Sequence, residues 1–146
     1  MSIKVRISGV KETIAKMDAY GNRKEQAIKN IVKESALNIE ATAKKRAPVD
    51  TGRLRSSINS NFTNDGYTAE VIAATFYAIY VEYGTSPHFP PVAALRGWAK
   101  RHGANPWAVA RGIARRGTPA QPFLYPSFMQ EKPRFVSRIK AEMSKL

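Results

Sequence analysis

The chain begins with alternating hydrophobic and basic residues and then changes to a helical spacing. Ile3, Val5 and Ile7 alternate with basic residues, the period-two pattern of a half-buried strand. From 23 to 46, apolar and small side chains recur every three or four residues, with neither Gly nor Pro among them. The pattern predicts a long helix that ends before Pro48, because the residue before proline disfavours α geometry. The predicted buried stripe is Ile28, Ile31, Val32, Ser35, Ile39 and Ala43.

The following segment predicts a β-hairpin. Residues 49–52 have turn chemistry, since Asp and Thr side chains bond nearby amides and glycine accepts a positive φ. A strand is expected from about Leu54 to Phe62, and the Asn-Asp-Gly sequence at 64–66 is a strong hairpin signal. The return strand is expected over 67–74, with alternate residues on one side. A further short helix is predicted earlier in the chain, over 10–19.

The second half of the chain predicts mainly helices. A short apolar helix over 78–83 ends at Gly84. Helices over 92–102 and 105–117 form a helical hairpin, and the second starts with Asn105 as a cap followed by proline. Trp98 and Trp107 lie on apolar faces, so we expect them in the core or at a subunit interface rather than as stacking platforms for single strands. A last helix is predicted over 127–144.

These elements predict an α+β fold. A long N-terminal helix packs on a small antiparallel sheet, and a C-terminal helix ends the fold. The helical hairpin at about 88–117 is an insertion within a single domain that comprises residues 1–146. The hydrophobic fraction of 43% is ordinary for a globular domain of 146 residues.

The composition of the chain excludes several kinds of site. The chain has no cysteine, which excludes a disulfide scaffold, a thiolate zinc site and a cysteine nucleophile. It has no apolar run of about 18 residues, so no membrane span or membrane partner is expected. The N-terminus also lacks the apolar region of a signal peptide. Two histidines, His88 and His102, are too few for a His-rich metal site.

The charge is large and uneven. The chain carries 24 Lys and Arg against 11 Asp and Glu, a formal net charge of +13. No acidic residue occurs between Glu82 and Glu131. Such an excess predicts an anionic partner, although many small basic proteins are simply soluble. The basic residues inside this acid-free stretch are Arg96, Lys100, Arg101, Arg111, Arg115 and Arg116.

No enzyme motif is present. The chain contains neither nucleotide-binding glycine motif, no nucleophile elbow and no H-E-x-x-H sequence. No cofactor is expected and the sequence predicts no catalytic or metal-binding residues. One enzymatic alternative stays open, a metal-dependent nuclease whose carboxylates meet only in space. Its candidate ligands are Asp50, Asp65, Glu70 and Glu82.

Three segments together resemble a family of phage morphogenesis proteins. Residues 41–58 end a long helix with R-A-P-V-D-T-G-R-L-R-S-S-I, residues 77–85 are Y-A-I-Y-V-E-Y-G-T, and residues 122–127 are P-F-L-Y-P-S. In this order the motifs are similar to those of head–tail joining or tail-completion proteins of long-tailed phages, also called minor tail proteins. The resemblance implies a structural virion subunit without enzymatic activity, located in the neck or at the tail top and assembled in the host cytoplasm.

The resemblance also implies the partners. These are further copies of the chain in a hexameric or dodecameric ring, other neck and tail proteins, and double-stranded DNA passing without sequence specificity. Ring closure needs heterologous contacts, in which different patches meet. We expect the ring body to consist of the sheet and long helix, with strand edges, the 49–55 turn and the extended 118–126 segment contacting a neighbour. The candidate interface residues are Val49, Asp50, Thr51, Gly52, Tyr80, Tyr83, Pro122, Phe123, Leu124 and Tyr125.

The basic residues are candidates for a surface that faces DNA or an acidic partner. Phosphate contacts tolerate shifts in position, so no sequence specificity is required. The main alternative function is a free, sequence-nonspecific nucleic-acid-binding protein, which would show salt-dependent DNA affinity as a monomer. The candidate residues are Arg53, Arg55, Arg96, Lys100, Arg101, Arg111, Arg115 and Arg116.

Overall fold

A computed structural model describes residues 2–11 and 22–145, with side chains from Lys24 onwards in the second range. Three strands form one antiparallel sheet: β1 (Ile3–Ile7), β2 (Ile58–Thr63) and β3 (Thr68–Ala73), in the order β1-β3-β2. β3 is therefore central and the other two strands are edges. The strand predicted over 3–7 and the fold class are confirmed.

Two long helices cover one face of this sheet. Helix α1 (Asn22–Arg46) packs on β2 and β3, and the C-terminal helix packs along α1 and β1. Every residue of the predicted α1 stripe is buried, which confirms the helical spacing read from the sequence. The return strand buries one of its sides, as the alternating pattern predicts. The buried residues are Tyr67, Ala69, Val71 and Ala73.

The turn between β2 and β3 depends on left-handed backbone. Asn64, Asp65 and Gly66 have φ values of 51°, 59° and 90°, and the Tyr67 amide donates to the Asn64 carbonyl at 3.1 Å. Asn, Asp and Gly are the residues that tolerate this conformation best. The hairpin predicted from these three residues is confirmed.

The described part of the chain also contains four shorter α-helices with both ends described: α2 (Arg53–Ser56), α3 (Ala78–Tyr83), α4 (Val92–Arg101) and α5 (Pro106–Arg116). Helices α4 and α5 form the predicted inserted hairpin. The Asn105 side chain accepts hydrogen bonds from the Trp107 and Ala108 amides at 2.9 and 3.3 Å, the expected cap. In the described part of the chain, no helix is both long and apolar enough to span a membrane.

Two boundaries predicted from the sequence are wrong. The strand expected from Leu54 begins only at Ile58, because α2 intervenes and buries Leu54 in the core. The Ser56 and Ser57 hydroxyls bond carbonyls three residues back, which favours this helical turn over a strand. The C-terminal helix α6 (Leu124–Met143) begins before the predicted residue 127.

The short helix predicted over 10–19 lies mostly outside the described residues. Val10 and Lys11 are helical, and Val10 is buried in the core.

Candidate functional site

The three sequence motifs meet on one side of the molecule. The 49–52 turn, helix α3 and the segment leading into α6 together line a cleft of about 400 Å³, with Tyr77, Val81 and Gln121 among its walls. The Gln121 amide donates to the Val81 carbonyl at 2.8 Å. Segments that are far apart in the sequence therefore build one patch.

A buried carboxylate joins the second motif to the third. Glu82 Oε2 accepts hydrogen bonds from the Phe123 and Leu124 amides at 2.8 and 2.9 Å, and Oε1 accepts one from the Tyr125 amide at 2.8 Å. The first four amides of a helix have no partner within it. Counted from the capping residue Phe123, the fourth residue is Pro126, which has no N–H. Glu82 therefore accepts from all three amides at this helix end that have no partner within the helix.

Part of the predicted contact segment serves the chain's own core instead. Phe123 is fully buried and Leu124 nearly so, both within the single chain. Their amides are held by Glu82, so the segment is fastened to its own α3. The expectation that these two side chains reach a neighbour is therefore corrected, while Pro122 and Tyr125 stay exposed.

The 49–52 turn is tied to the inserted hairpin by an ion pair. Arg101 Nε donates to Asp50 Oδ1 at 2.9 Å, and a second guanidinium nitrogen donates to Oδ2. This bidentate hydrogen bond holds the pKa of Asp50 below its usual range and raises that of Arg101. Arg101 is thus already paired within the chain, and a role facing DNA would require breaking this contact.

The pH dependence of this contact is a testable prediction. The Asp50 pKa lies below its ordinary value of 3.8 in the folded chain. The contact therefore contributes fully above 3.8 and is lost as the pH falls through the folded-state pKa. In an acid titration followed by NMR, Arg101→Met should move the Asp50 titration up towards 3.8. Arg96→Met, a change at an exposed cation on the same helix, should leave it in place; equal effects would contradict the assignment.

One of the two sheet edges is partly closed. Glu40 Oε2 accepts hydrogen bonds from the Ser60 amide at 2.9 Å and the Ser60 hydroxyl at 2.7 Å, and Lys44 donates to the other oxygen. Burial raises the pKa of Glu40, but the bonds from Lys44 and Ser60 outweigh it and lower the pKa. The Ser60 amide is thus unavailable to a neighbouring strand, which limits β2 as the predicted contact edge.

The α3 helix and the turn before it carry an outward aromatic stripe. Tyr80 and Tyr83 are three residues apart on α3 and so share a face. Phe76 lies in the turn just before the helix, and in chain order the three side chains of this aromatic stripe are 65%, 50% and 69% exposed. The opposite side of α3 buries Ala78 and Glu82. Tyr80 and Tyr83 were among the residues predicted at an interface, whereas Phe76 was missed, because it precedes the helix and no helical spacing identifies it.

The structure gathers most of the basic candidates on the inserted hairpin and leaves two elsewhere. Arg53 and Arg55 lie on α2, beside the 49–52 turn. Among the described residues, no carboxylate lies within ion-pair distance of the exposed cations on α4 and α5 other than Arg101. These cations are Arg96, Lys100, Arg111, Arg115 and Arg116.

The carboxylates of the nuclease alternative have separate partners. Asp65 pairs with Lys29, and Glu70 pairs with two basic residues of β1. Asp50 is paired with Arg101, while Glu82 caps α6. Within residues 2–11 and 22–145, no three acidic or histidine side chains form a group that could hold a metal ion.

The two histidines and two tryptophans do not form a shared site. His88 Nδ1 is 2.9 Å from the Ser86 carbonyl, and His102 stacks on Trp98 with ring centroids 4.3 Å apart. Trp98 and Trp107 are 39% and 55% exposed. The alternative that they belong to the core is therefore wrong for both rings.

The fold and the site define an α+β protein whose three motifs build a fixed patch with aromatic side chains directed outward, an arrangement typical of protein-contact surfaces. The family model described as "Bacteriophage HK97-gp10, putative tail-component" matches residues 11–84, about half of the chain. The chain belongs to this HK97-gp10-like family. It is accordingly a phage tail component with a structural role in the virion, where it contacts other tail proteins.

The match includes the first motif and nearly all of the second. It ends at Gly84, before the inserted hairpin and the third motif. No curated protein and no solved structure matches the chain.

Proposed function

We propose that this chain is a single-domain, ring-forming subunit that acts in head–tail joining or tail completion of a long-tailed phage. It occupies the neck or the top of the tail, is assembled in the host cytoplasm, and has DNA passing through or near the ring. It serves as a scaffold without catalysis. The observation that carries the proposal is the aromatic stripe of α3, which the chain's own fold leaves in water.

The area of this surface suits half of an interface. An aromatic side chain contributes about 150–250 Å², so Phe76, Tyr80, Tyr83 and Tyr125, each at least half exposed, offer roughly 400–500 Å². One partner of a stable interface buries about 800 Å². The neighbouring turn, with Val49 exposed, extends the same patch. Because a ring needs two different patches to meet, this patch is one of the two.

The basic surface supports an anionic neighbour for the ring. Apart from Arg101, which pairs with Asp50, the exposed cations on α4, α5 and α2 have no ion-pair partner among the described carboxylates. Contacts to phosphates would be independent of sequence and would weaken with salt. Either the passing DNA or an acidic protein of the neck could pair with these cations.

The stripe gives the test of assembly. In Tyr80→Ser/Tyr83→Ser, we expect the chain to stay folded, because both rings are at least half exposed, and to lose self-association. Removing two aromatic anchors should weaken each subunit contact by at least about 2 kcal/mol, or roughly thirtyfold. Native mass spectrometry across a concentration series measures the oligomer distribution.

Trp107→Ser is the matched control, since Trp107 is comparably exposed but lies on the inserted hairpin. It should leave the oligomer distribution unchanged. The proposal fails if the intact chain stays monomeric at high concentration and in the presence of tail or connector proteins. The α3 assignment fails if the control disrupts assembly as strongly as the double variant.

A further inference from the structure

The inserted hairpin carries an open apolar groove. The groove has a volume of about 960 Å³ and lies between α4, α5 and the 117–121 segment. Its walls include Leu95, Trp98, Val109 and Ile113, with Arg116 at its margin. The groove is separate from the aromatic stripe of α3.

The packing of the hairpin explains why the groove is apolar. Within residues 92–116, the buried side chains are the two small ones of Ala99 and Ala110. The larger apolar side chains, such as Leu95 and Val109, are only half-buried and line the groove instead. A hairpin built only to fold would direct its largest apolar side chains inward. This surface is therefore suited to apolar side chains from outside the chain.

The helices that form the groove carry charge of one sign. Arg116 lines the groove, and Arg111 and Arg115 are exposed one turn apart elsewhere on α5. Lys100 and Arg96 are exposed on α4. None of these five cations has a carboxylate partner among the described residues.

We propose that this groove binds an acidic amphipathic segment of a different protein, with apolar side chains in the groove and carboxylates against Arg116 and the other exposed cations of α4 and α5. Charge complementarity selects this occupant. A second copy of the chain brings the same net charge of +13, so it would add repulsion. DNA phosphates could meet the cations but would leave the apolar walls in water. The groove exists on the single chain, so the proposal does not depend on ring formation.

The experiment measures binding of a defined probe by fluorescence anisotropy. The probe is a labelled synthetic helix of about 14 residues, or about 21 Å, with Leu at one face and Glu elsewhere. Its controls are the same peptide with Lys in place of Glu, the same peptide with Ser in place of Leu, and a short DNA duplex. We expect saturable binding of the Glu/Leu peptide and at least about tenfold weaker binding of both control peptides.

Two variants localise the binding. Ala108 is exposed on the groove wall, three residues after the Asn105 cap. A glutamate at this position of a helix favours folding, so Ala108→Glu should keep α5 intact while repelling the probe. Arg111→Glu/Arg115→Glu reverses the neighbouring charge. Each should weaken binding at least about tenfold.

Lys132→Glu/Lys140→Glu is the charge-matched control. Both lysines are exposed on α6, away from the groove, so binding should change less than about twofold. Three results would overturn the proposal: absence of saturable Glu/Leu peptide binding, equal loss in the α6 control, or tighter binding of duplex DNA that Ala108→Glu leaves unchanged. The last result would identify the hairpin as a DNA contact.

Discussion

Replacing Gly117 with alanine should open the base of the inserted hairpin, because a Cβ atom there would lie 1.9 Å from the Thr85 carbonyl oxygen. That carbonyl accepts the Thr118 amide at 3.2 Å, and the Thr85 amide donates to the Thr118 carbonyl at 3.0 Å. The two hydroxyls are also 2.9 Å apart. An alanine would have to separate the two segments that Thr85 and Thr118 bridge, since the overlapping atom is backbone and cannot rotate away.

The expected loss has two sources. Gly117 has a φ of 69°, where an L side chain costs about 1 kcal/mol. Separating two backbone hydrogen bonds adds about 1 kcal/mol for each. We therefore expect the opening free energy of this base to fall by about 3 kcal/mol. Hydrogen exchange of the Thr85 and Thr118 amides measures it, with protection reduced at least about hundredfold.

Gly103→Ala separates the clash from the backbone strain. Gly103 has a φ of 63°, and a Cβ there meets nothing within 4 Å. This variant should carry only the cost of the left-handed backbone, about 1 kcal/mol. The Thr85 and Thr118 amides should stay protected from exchange. Equal exchange in the two variants would show that close approach at the base contributes nothing.

Local patterns in the sequence predict most of the fold. The α1 stripe, the alternation in β1 and β3 and the Asn-Asp-Gly turn each depend on neighbours within a few residues, and the structure confirms all of them. Asn105 and Pro106 likewise mark the start of α5, because a helix cap depends only on residues next to it in the sequence. The three motifs were also recognisable as a set, although their meeting point was not.

The sequence could not predict what depends on distant partners. The start of α6 at Leu124 is set by Glu82, more than forty residues earlier, and no local pattern places a carboxylate there. Phe123 and Trp107 illustrate the same limit. Both are aromatic residues near prolines, yet one is fully buried and the other more than half exposed, because burial follows which element packs above them.

Among the carboxylates in the described part of the chain, replacing Glu82 should lower the free energy of unfolding most. Glu82→Ala leaves the buried Phe123 and Leu124 amides and the part-buried Tyr125 amide without their acceptor. Unsatisfied buried donors cost about 1–3 kcal/mol each, so we expect a loss of about 3–5 kcal/mol in the free energy of unfolding, measured by urea denaturation. Glu82→Gln should recover only part of the lost stability, because its amide nitrogen would face an N–H donor.

The control is Glu131→Gln, a change at another buried carboxylate. Glu131 accepts one hydrogen bond, from the Asn38 side chain at 3.3 Å, and lies 3.9 Å from an Arg134 nitrogen. Its replacement should cost about 1 kcal/mol. NMR shifts should also show the first turn of α6 unwinding in Glu82→Gln but not in Glu131→Gln. If the two variants are equally stable and α6 still begins at Leu124, capping by Glu82 is not what connects the second motif to the third.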